Sequence, residues 1–153
     1  MTQLRSYTTI EQSKKLAEIL PLESADMWWN YYSVTTDDTT PMIVHLDNPW
    51  VGSFNWGNKP DNIPCWSLTA LLNAMPQSIN VYVEKRECRR TFNLNLFRSY
   101  YHCCSYSFES TVTEEDDDNS FICIGSDSWV DACYAMIIRL HEHNLIGRDF
   151  YSI

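Results

Sequence analysis

A chain of 153 residues with 44% hydrophobic and 20% charged residues has the composition of a globular domain, which excludes a disordered or fibrous protein. The formal net charge of -9 argues against direct nucleic-acid binding and against an anionic membrane surface, because both need clustered Lys and Arg. Since no apolar run is long enough to span a membrane and the polar start is unlike a signal peptide, we expect one cytoplasmic domain over residues 1–153.

Two helices are predicted near the start of the chain. Two overlapping pairs, Thr8 with Glu11 and Thr9 with Gln12, have the spacing of a capping box, so the first helix should begin near Thr9 and end at Pro21. A second, short helix is predicted from Glu23 to Tyr31, where bulky apolar side chains can share one face.

A polar link, a strand and a long loop are predicted next. Residues 33–41 are rich in turn-forming residues, and Met42 to Leu46 have strand propensity. The loop from Asp47 to Ile63 contains Trp50 and Trp56, and loops this long and aromatic usually pack over a core or shape a site.

The segment from Pro64 to Pro76 is predicted to be the central helix. Leu68, Leu71, Leu72 and Met75 have the spacing of a single apolar helical stripe, which is typical of a core-facing helix. Pro64 fits the start of this helix, because proline is tolerated in a first helical turn, and Pro76 should end it, because proline further along stops a helix.

After this helix the hydrophobic period changes to two, which predicts strands. Ile79 to Val83 and Phe92 to Leu96 alternate apolar and polar residues, and the charged turn from Lys85 to Arg90 makes them antiparallel neighbours. A third strand is predicted within Ser99 to Phe108.

The last part of the chain predicts an acidic loop, an edge strand and a helix. The loop covers Glu109 to Asn119 and the strand Asn119 to Ile124. The helix should begin at an N-cap on Ser126 or Ser128 and continue to Leu140. Asn144 or Gly147 suits the left-handed residue that commonly follows the end of a helix. The predicted fold class is therefore α+β, with an antiparallel three- to four-stranded sheet packed against three main helices.

Four segments together resemble a group of small uncharacterised proteins encoded by gut-bacterial genomes and their phages or mobile elements. The segments are Thr9–Leu16, Ser24–Met27, Ile63–Leu72 and Asp131–Ile137. The resemblance implies a phage or mobile-element accessory protein, and it implies no particular activity or catalytic residue.

The residues with catalytic or metal-binding potential do not form a recognisable motif. Six cysteines include no Cys-x-x-Cys pair and are expected to be free thiols. His141 and His143 point to different sides of a helix and cannot share an ion, and His102 and Cys103 face opposite sides of a strand. We expect no metal, no cofactor and no catalytic residue.

Two sets of residues are candidates for binding. Arginines and aromatic rings can hold a nucleotide by ion pairing and stacking, which predicts a ligand site. Its residues are Trp50, Trp56, Trp66, Arg89 and Arg90. A run of like charges is normally a solvated loop, but it can also mimic a nucleic-acid backbone towards a host protein. Its residues are Glu114, Glu115, Asp116, Asp117 and Asp118.

The sequence as a whole predicts an accessory protein that acts by binding, with counter-defence as one role. Three alternatives stay open: a protein that sequesters a small nucleotide-like ligand, an acidic inhibitor or nucleic-acid mimic, and a small enzyme without a recognisable motif. The expected partners are a host protein or a nucleotide-like ligand, and a homodimer would bury part of the 14% aromatic content.

Overall fold

The computed structural model describes residues 6–29, 42–43, 63–84, 87–107 and 120–147. These residues belong to two compact units. The first unit contains the described residues up to Ala74 together with Gly147, and the second contains those from Met75 to Ile146. The predicted link 33–41, the loop after Asp47 and the acidic loop to Asn119 lie outside the described residues. The single domain over residues 1–153 stays a prediction.

The first unit begins with helix α1, Ile10–Ile19. Of the two predicted capping boxes, the one of Thr9 and Gln12 is confirmed, because the Gln12 backbone N–H donates to the Thr9 hydroxyl and the Thr9 N–H donates to the Gln12 side chain. Leu16 and Ile19 are buried, so they form the core-facing side of the helix.

The predicted helix from Glu23 to Tyr31 is wrong. A single 3-10 turn at Leu22–Ser24 is followed by strand β1, Met27–Trp29, which pairs with β2, Met42–Ile43, and with β3, Ile63–Cys65. The three strands are antiparallel in the order β2-β1-β3. Bulky aromatic residues favour strands when partners are available, and here both partners come from distant parts of the chain.

The predicted central helix is shorter than expected. Helix α2 covers Leu68–Ala74, and Pro64 lies in β3, at an edge of the sheet where a missing N–H is tolerated. Ser67 caps the helix by accepting a hydrogen bond from the Ala70 N–H at 3.1 Å. The Asp26 carboxylate in turn accepts hydrogen bonds from the backbone and the hydroxyl of Ser67.

The second unit contains an antiparallel four-stranded sheet in the order β4-β5-β6-β7. Its strands are β4, Ser78–Val83; β5, Cys88–Arg98; β6, His102–Ser107; and β7, Ser120–Ser126. The predicted strands are confirmed, and the edge strand is longer than expected. The predicted charged turn is wrong at its end, because Arg89 and Arg90 belong to β5 and pair with Tyr82 and Val81.

Helix α3, Trp129–Glu142, packs against β6 and β7. Ser128 is the N-cap and accepts a hydrogen bond from the Asp131 N–H, while Asn144 has the left-handed φ of 58° that was predicted for the helix exit. Met136 and Ile137 are fully buried. The α+β class is therefore confirmed, and the described residues form helices α1 to α3 with one three-stranded and one four-stranded antiparallel sheet.

Candidate functional site

The four-stranded sheet has one face towards α3 and one face away from it. His102 packs edge-on against Trp129 of α3 with ring centroids 4.8 Å apart, which places the even-numbered residues of β6 on the α3 side. We call the other side the outer face. The register places on it alternate residues of all four strands: Ser78, Asn80, Tyr82, Arg89, Thr91, Asn93, Asn95, Phe97, Cys103, Ser105, Ser107, Cys123 and Gly125.

Neutral hydrogen bonds organise the polar part of the outer face. The Asn80 amide donates to the Thr91 hydroxyl at 3.1 Å, and the Asn95 amide donates to the Ser107 hydroxyl at 3.3 Å. Ser107 also hydrogen-bonds the buried Ser105 at 3.0 Å. An asparagine amide has two N–H donors and a carbonyl acceptor, so each amide is oriented by one bond and retains capacity for a ligand.

Exposed aromatic rings lie at both ends of the outer face. Tyr82 is 53% exposed at one end, while Phe97, Tyr100 and Tyr101 are 44%, 99% and 56% exposed at the β5–β6 hairpin. Aromatic groups this exposed and this close in sequence are typical of interaction surfaces.

Gly125 allows Tyr101 to approach β7 closely. A Cβ atom at Gly125 would lie 3.1 Å from Tyr101 Cβ and 3.6 Å from Cys103 Sγ, a tight contact that the missing side chain avoids. The Tyr101 carbonyl also accepts hydrogen bonds from the Ser99 N–H at 3.0 Å and the Cys103 thiol at 3.5 Å. Tyr101 is thus held in place although its ring is exposed.

The formal charges of the sheet have the opposite sign to the net charge of the chain. Strands β4 to β7 contain Arg89, Arg90 and Arg98 and no Asp or Glu, whereas the chain has a net charge of -9. Arg89 lies on the outer face beside Tyr82, and Arg98 is exposed at the aromatic hairpin opposite His102. Arg89 therefore lies with Tyr82 at one end of the outer face, whereas Arg98 lies on the α3 side of β5, one residue after the outer-face Phe97.

The predicted ligand site is only partly described by the structure. Trp66 is fully buried, and its indole N–H donates to the Ser24 hydroxyl at 2.9 Å, so its ring belongs to the core of the first unit. Arg89 and Arg90 lie on opposite faces of β5. Trp50 and Trp56 lie outside the described residues. The ligand contacts assigned to these residues stay predictions.

The predicted acidic interaction site, residues 114–118, also lies outside the described residues. Sequence reasoning did not single out Tyr82, Phe97 and Tyr101. The signal for Tyr82 was available, because it alternates with Ile79, Val81 and Val83 and so falls on the polar side of its strand.

The thiols of the buried Cys65 and Cys104 are held in the protonated form. Hydrogen bonding to Cys133, together with burial, raises the pKa of Cys104, and burial raises the pKa of Cys65 to about 11. Cys65 donates to the Thr8 carbonyl at 3.5 Å and accepts from the Thr8 hydroxyl at 3.6 Å. A neutral thiol is a poor nucleophile, so these residues have structural roles.

Alkylation of the native protein with iodoacetamide at about pH 8 is expected to modify the exposed Cys88 first. Cys65 is buried, and burial raises its pKa from 9.0 to about 11, which reduces its thiolate fraction about 100-fold and should slow its reaction by at least that factor. Mass spectrometry of peptides after timed quenching measures both rates. Equal rates at the two residues would contradict this assignment, and denatured protein, in which all thiols react, is the control.

The described part of the chain has no group of three or more His, Cys, Asp or Glu side chains placed to hold a metal ion. His141 and His143 are exposed as expected, and His141 Nδ1 lies 3.3 Å from the Ile146 carbonyl oxygen at the helix exit. None of the helices in the described ranges is long and apolar enough to cross a membrane.

Comparisons with family models, with curated proteins and with solved structures found no match for the chain.

Proposed function

We propose that the protein acts by binding an anionic partner on the outer face of its four-stranded sheet. The observation that carries the proposal is the sign of charge: the four strands place Arg89 and no carboxylate on the outer face, and Arg98 is exposed at the end of the same strand, in a chain of net charge -9. A local field of this sign attracts an anion and disfavours cationic partners.

The composition of the outer face supports the same proposal. Aromatic residues and arginine are enriched in binding interfaces, whereas other charged residues are depleted from interface centres. Tyr82 with Arg89 matches this composition at one end, and the exposed ring of Phe97 matches it at the other. The acidic residues nearest in sequence to Tyr82 and Arg89 are Glu84 and Glu87, and both lie outside strands β4 and β5.

This proposal keeps the expected action by binding and favours one of the open alternatives, a nucleotide-like or other anionic ligand, over catalysis. A phage or mobile-element origin and a counter-defence role would be its biological setting. The expected homodimer stays a prediction.

The test measures fluorescence anisotropy with two labelled anions, polyglutamate and oligothymidylate, and with neutral dextran as a control. At low salt we expect at least one anion to bind. The double variant Arg89→Gln/Arg98→Gln should weaken this binding by about tenfold, since each lost ion pair contributes on the order of 0.5–1 kcal/mol at an exposed site. Arg139→Gln is the matched control, because Arg139 is an exposed arginine of α3 that pairs with Glu142 at 3.8 Å.

Two results would refute the proposed function. The first is that neither anion binds more tightly than dextran. The second is that Arg139→Gln weakens binding as much as the double variant, since the attraction would then be a general property of the protein and not of the sheet.

A further inference from the structure

We infer that the anionic partner is a short single strand of nucleic acid that lies along β5, with one end at Arg89 and the other at Phe97. This inference rests on the proposed function, because it names the chemical class of the partner for the same surface. Three features of the outer face lead to it: the spacing of the aromatic rings, the neutral amides between them, and the position of Arg89.

The aromatic rings provide stacking positions for bases. Phe97 and Tyr101 are both exposed at the hairpin end, and Tyr82 is exposed at the other end. Nucleobases stack on exposed Phe and Tyr rings whatever their sequence, because every base has a π-face. Tyr101 is well suited to this role, since the hydrogen bonds to its carbonyl hold its main chain and the missing side chain of Gly125 lets its Cβ lie close to β7.

The distance between the two ends sets the length of the strand. At a rise of about 3.3 Å per residue, Arg89 and Phe97 are separated by about 26 Å along β5. Bases splayed onto side chains are spaced roughly twofold wider than the 3.4 Å of a stacked duplex strand, so this length accommodates about four nucleotides. A single nucleotide would reach only one of the two ends.

Neutral amides lie between the aromatic ends. Asn80 and Asn95 are each oriented by one hydrogen bond to a hydroxyl of the neighbouring strand. Asparagine can pair with the edges of unstacked bases, which need both a donor and an acceptor.

Charge complementarity favours nucleic acid only on this surface. The net charge of the whole chain predicts weak binding to nucleic acid in general, and the strands β4 to β7 contain no carboxylate that would repel a phosphate. Arg89, on the outer face, can reach one phosphate. An acidic peptide would pair with the same arginine, but its carboxylates would leave the exposed rings of Phe97 and Tyr101 without a stacking partner.

The experiment compares the two labelled anions on the full chain and on single variants. We expect Phe97→Ala and Tyr101→Ala each to raise the Kd of an oligothymidylate of about six nucleotides by about tenfold or more, the effect of losing one stacked base. Phe97→Tyr keeps an aromatic plane and should stay within about twofold of the original Kd. Neither alanine variant should change the Kd of polyglutamate, because it does not stack.

The salt dependence gives a second, independent measurement. One phosphate contact, at Arg89, predicts a slope of about -0.7 for the logarithm of the binding constant against the logarithm of salt concentration, and Arg89→Gln should remove most of this dependence. Thymidine monophosphate tests the length, since a single nucleotide should compete poorly with the oligonucleotide.

The outcomes separate this inference from the proposed function. If Phe97→Ala and Tyr101→Ala leave the oligonucleotide Kd within about twofold, or if thymidine monophosphate competes as well as the oligonucleotide, the single-strand assignment is overturned. Binding of polyglutamate that depends on Arg89 and Arg98 would still support an anionic partner in that case. Failure of both anions to bind would remove both proposals.

Discussion

Replacing Trp66 with alanine is expected to lower the free energy of unfolding by about 4 kcal/mol, the usual cost of deleting a large buried aromatic side chain. Trp66 is fully buried, and its indole N–H donates to the Ser24 hydroxyl at 2.9 Å, which donates in turn to the Pro21 carbonyl at 2.6 Å. The substitution removes the packing and leaves the Ser24 end of this chain of hydrogen bonds without its donor. Urea denaturation followed by circular dichroism measures the change.

Tyr100→Ala is the matched control, because Tyr100 is almost wholly exposed and its removal should change the free energy of unfolding by less than about 0.5 kcal/mol. Trp66→Phe keeps a ring and should cost less than Trp66→Ala. The structural role would be disproved if Trp66→Ala kept its stability and lost ligand affinity, which is the behaviour expected from the sequence-based assignment of Trp66 to a ligand site.

Raising the pH from about 9 to about 11 is expected to remove about 3 kcal/mol of stability through Cys65 alone. Burial raises the pKa of this thiol from 9.0 to about 11, so between these values the folded protein keeps a proton that the unfolded chain releases. The stabilisation is fully present below about pH 9 and is lost as the pH rises through about 11. Two pKa units correspond to about 3 kcal/mol, and Cys104 shifts in the same direction.

The measurement is the free energy of unfolding in urea at a series of alkaline pH values, for three chains. Cys65→Ala should have a shallower pH dependence than the original protein, whatever its stability at pH 7, because the titrating group is gone. Cys88→Ala, which alters an exposed cysteine, should keep the original slope. Equal slopes for Cys65→Ala and the original protein would show that another group causes the alkaline loss.

Local sequence signals predicted the elements that depend on local chemistry. The capping box of Thr9 and Gln12, the left-handed exit at Asn144 and the strands from Ile79 and from Phe92 all follow from short-range rules, and the structure contains each of them. These features involve residues within one turn or one strand, which is the range over which side-chain pattern determines backbone conformation.

Elements that depend on distant partners were not predictable in the same way. Met27–Trp29 and Ile63–Cys65 are too short to show a period of two, and they become strands only by pairing with each other across a long separation in sequence. Pro64 was read as the start of a helix because proline suits a first helical turn. Its actual place in an edge strand depends on the order of the sheet, which the sequence does not reveal.

The candidate site shows the same division between local and distant information. The sequence singles out Arg89 and Arg90 as a basic pair, and the alternation of a strand places only Arg89 on the outer face. Their assignment to a turn concealed this alternation. The association of Arg89 with Tyr82, and of Phe97 with Cys103, required the register between strands.

The stagger of β5 has a consequence for its main chain. Pairing with β4 ends at Asn93, and the Leu94 N–H donates to the Gln77 carbonyl, whereas pairing with β6 continues to Arg98. Along a strand, the main-chain N–H and C=O groups of successive residues point alternately to the two neighbouring strands. Those of Leu96 and Arg98 therefore point to the same side as those of Leu94, and no strand of the described ranges pairs with them on that side. The hairpin end therefore offers main-chain hydrogen bonds at a free strand edge, and a positively charged Arg98 at this edge discourages edge-to-edge aggregation.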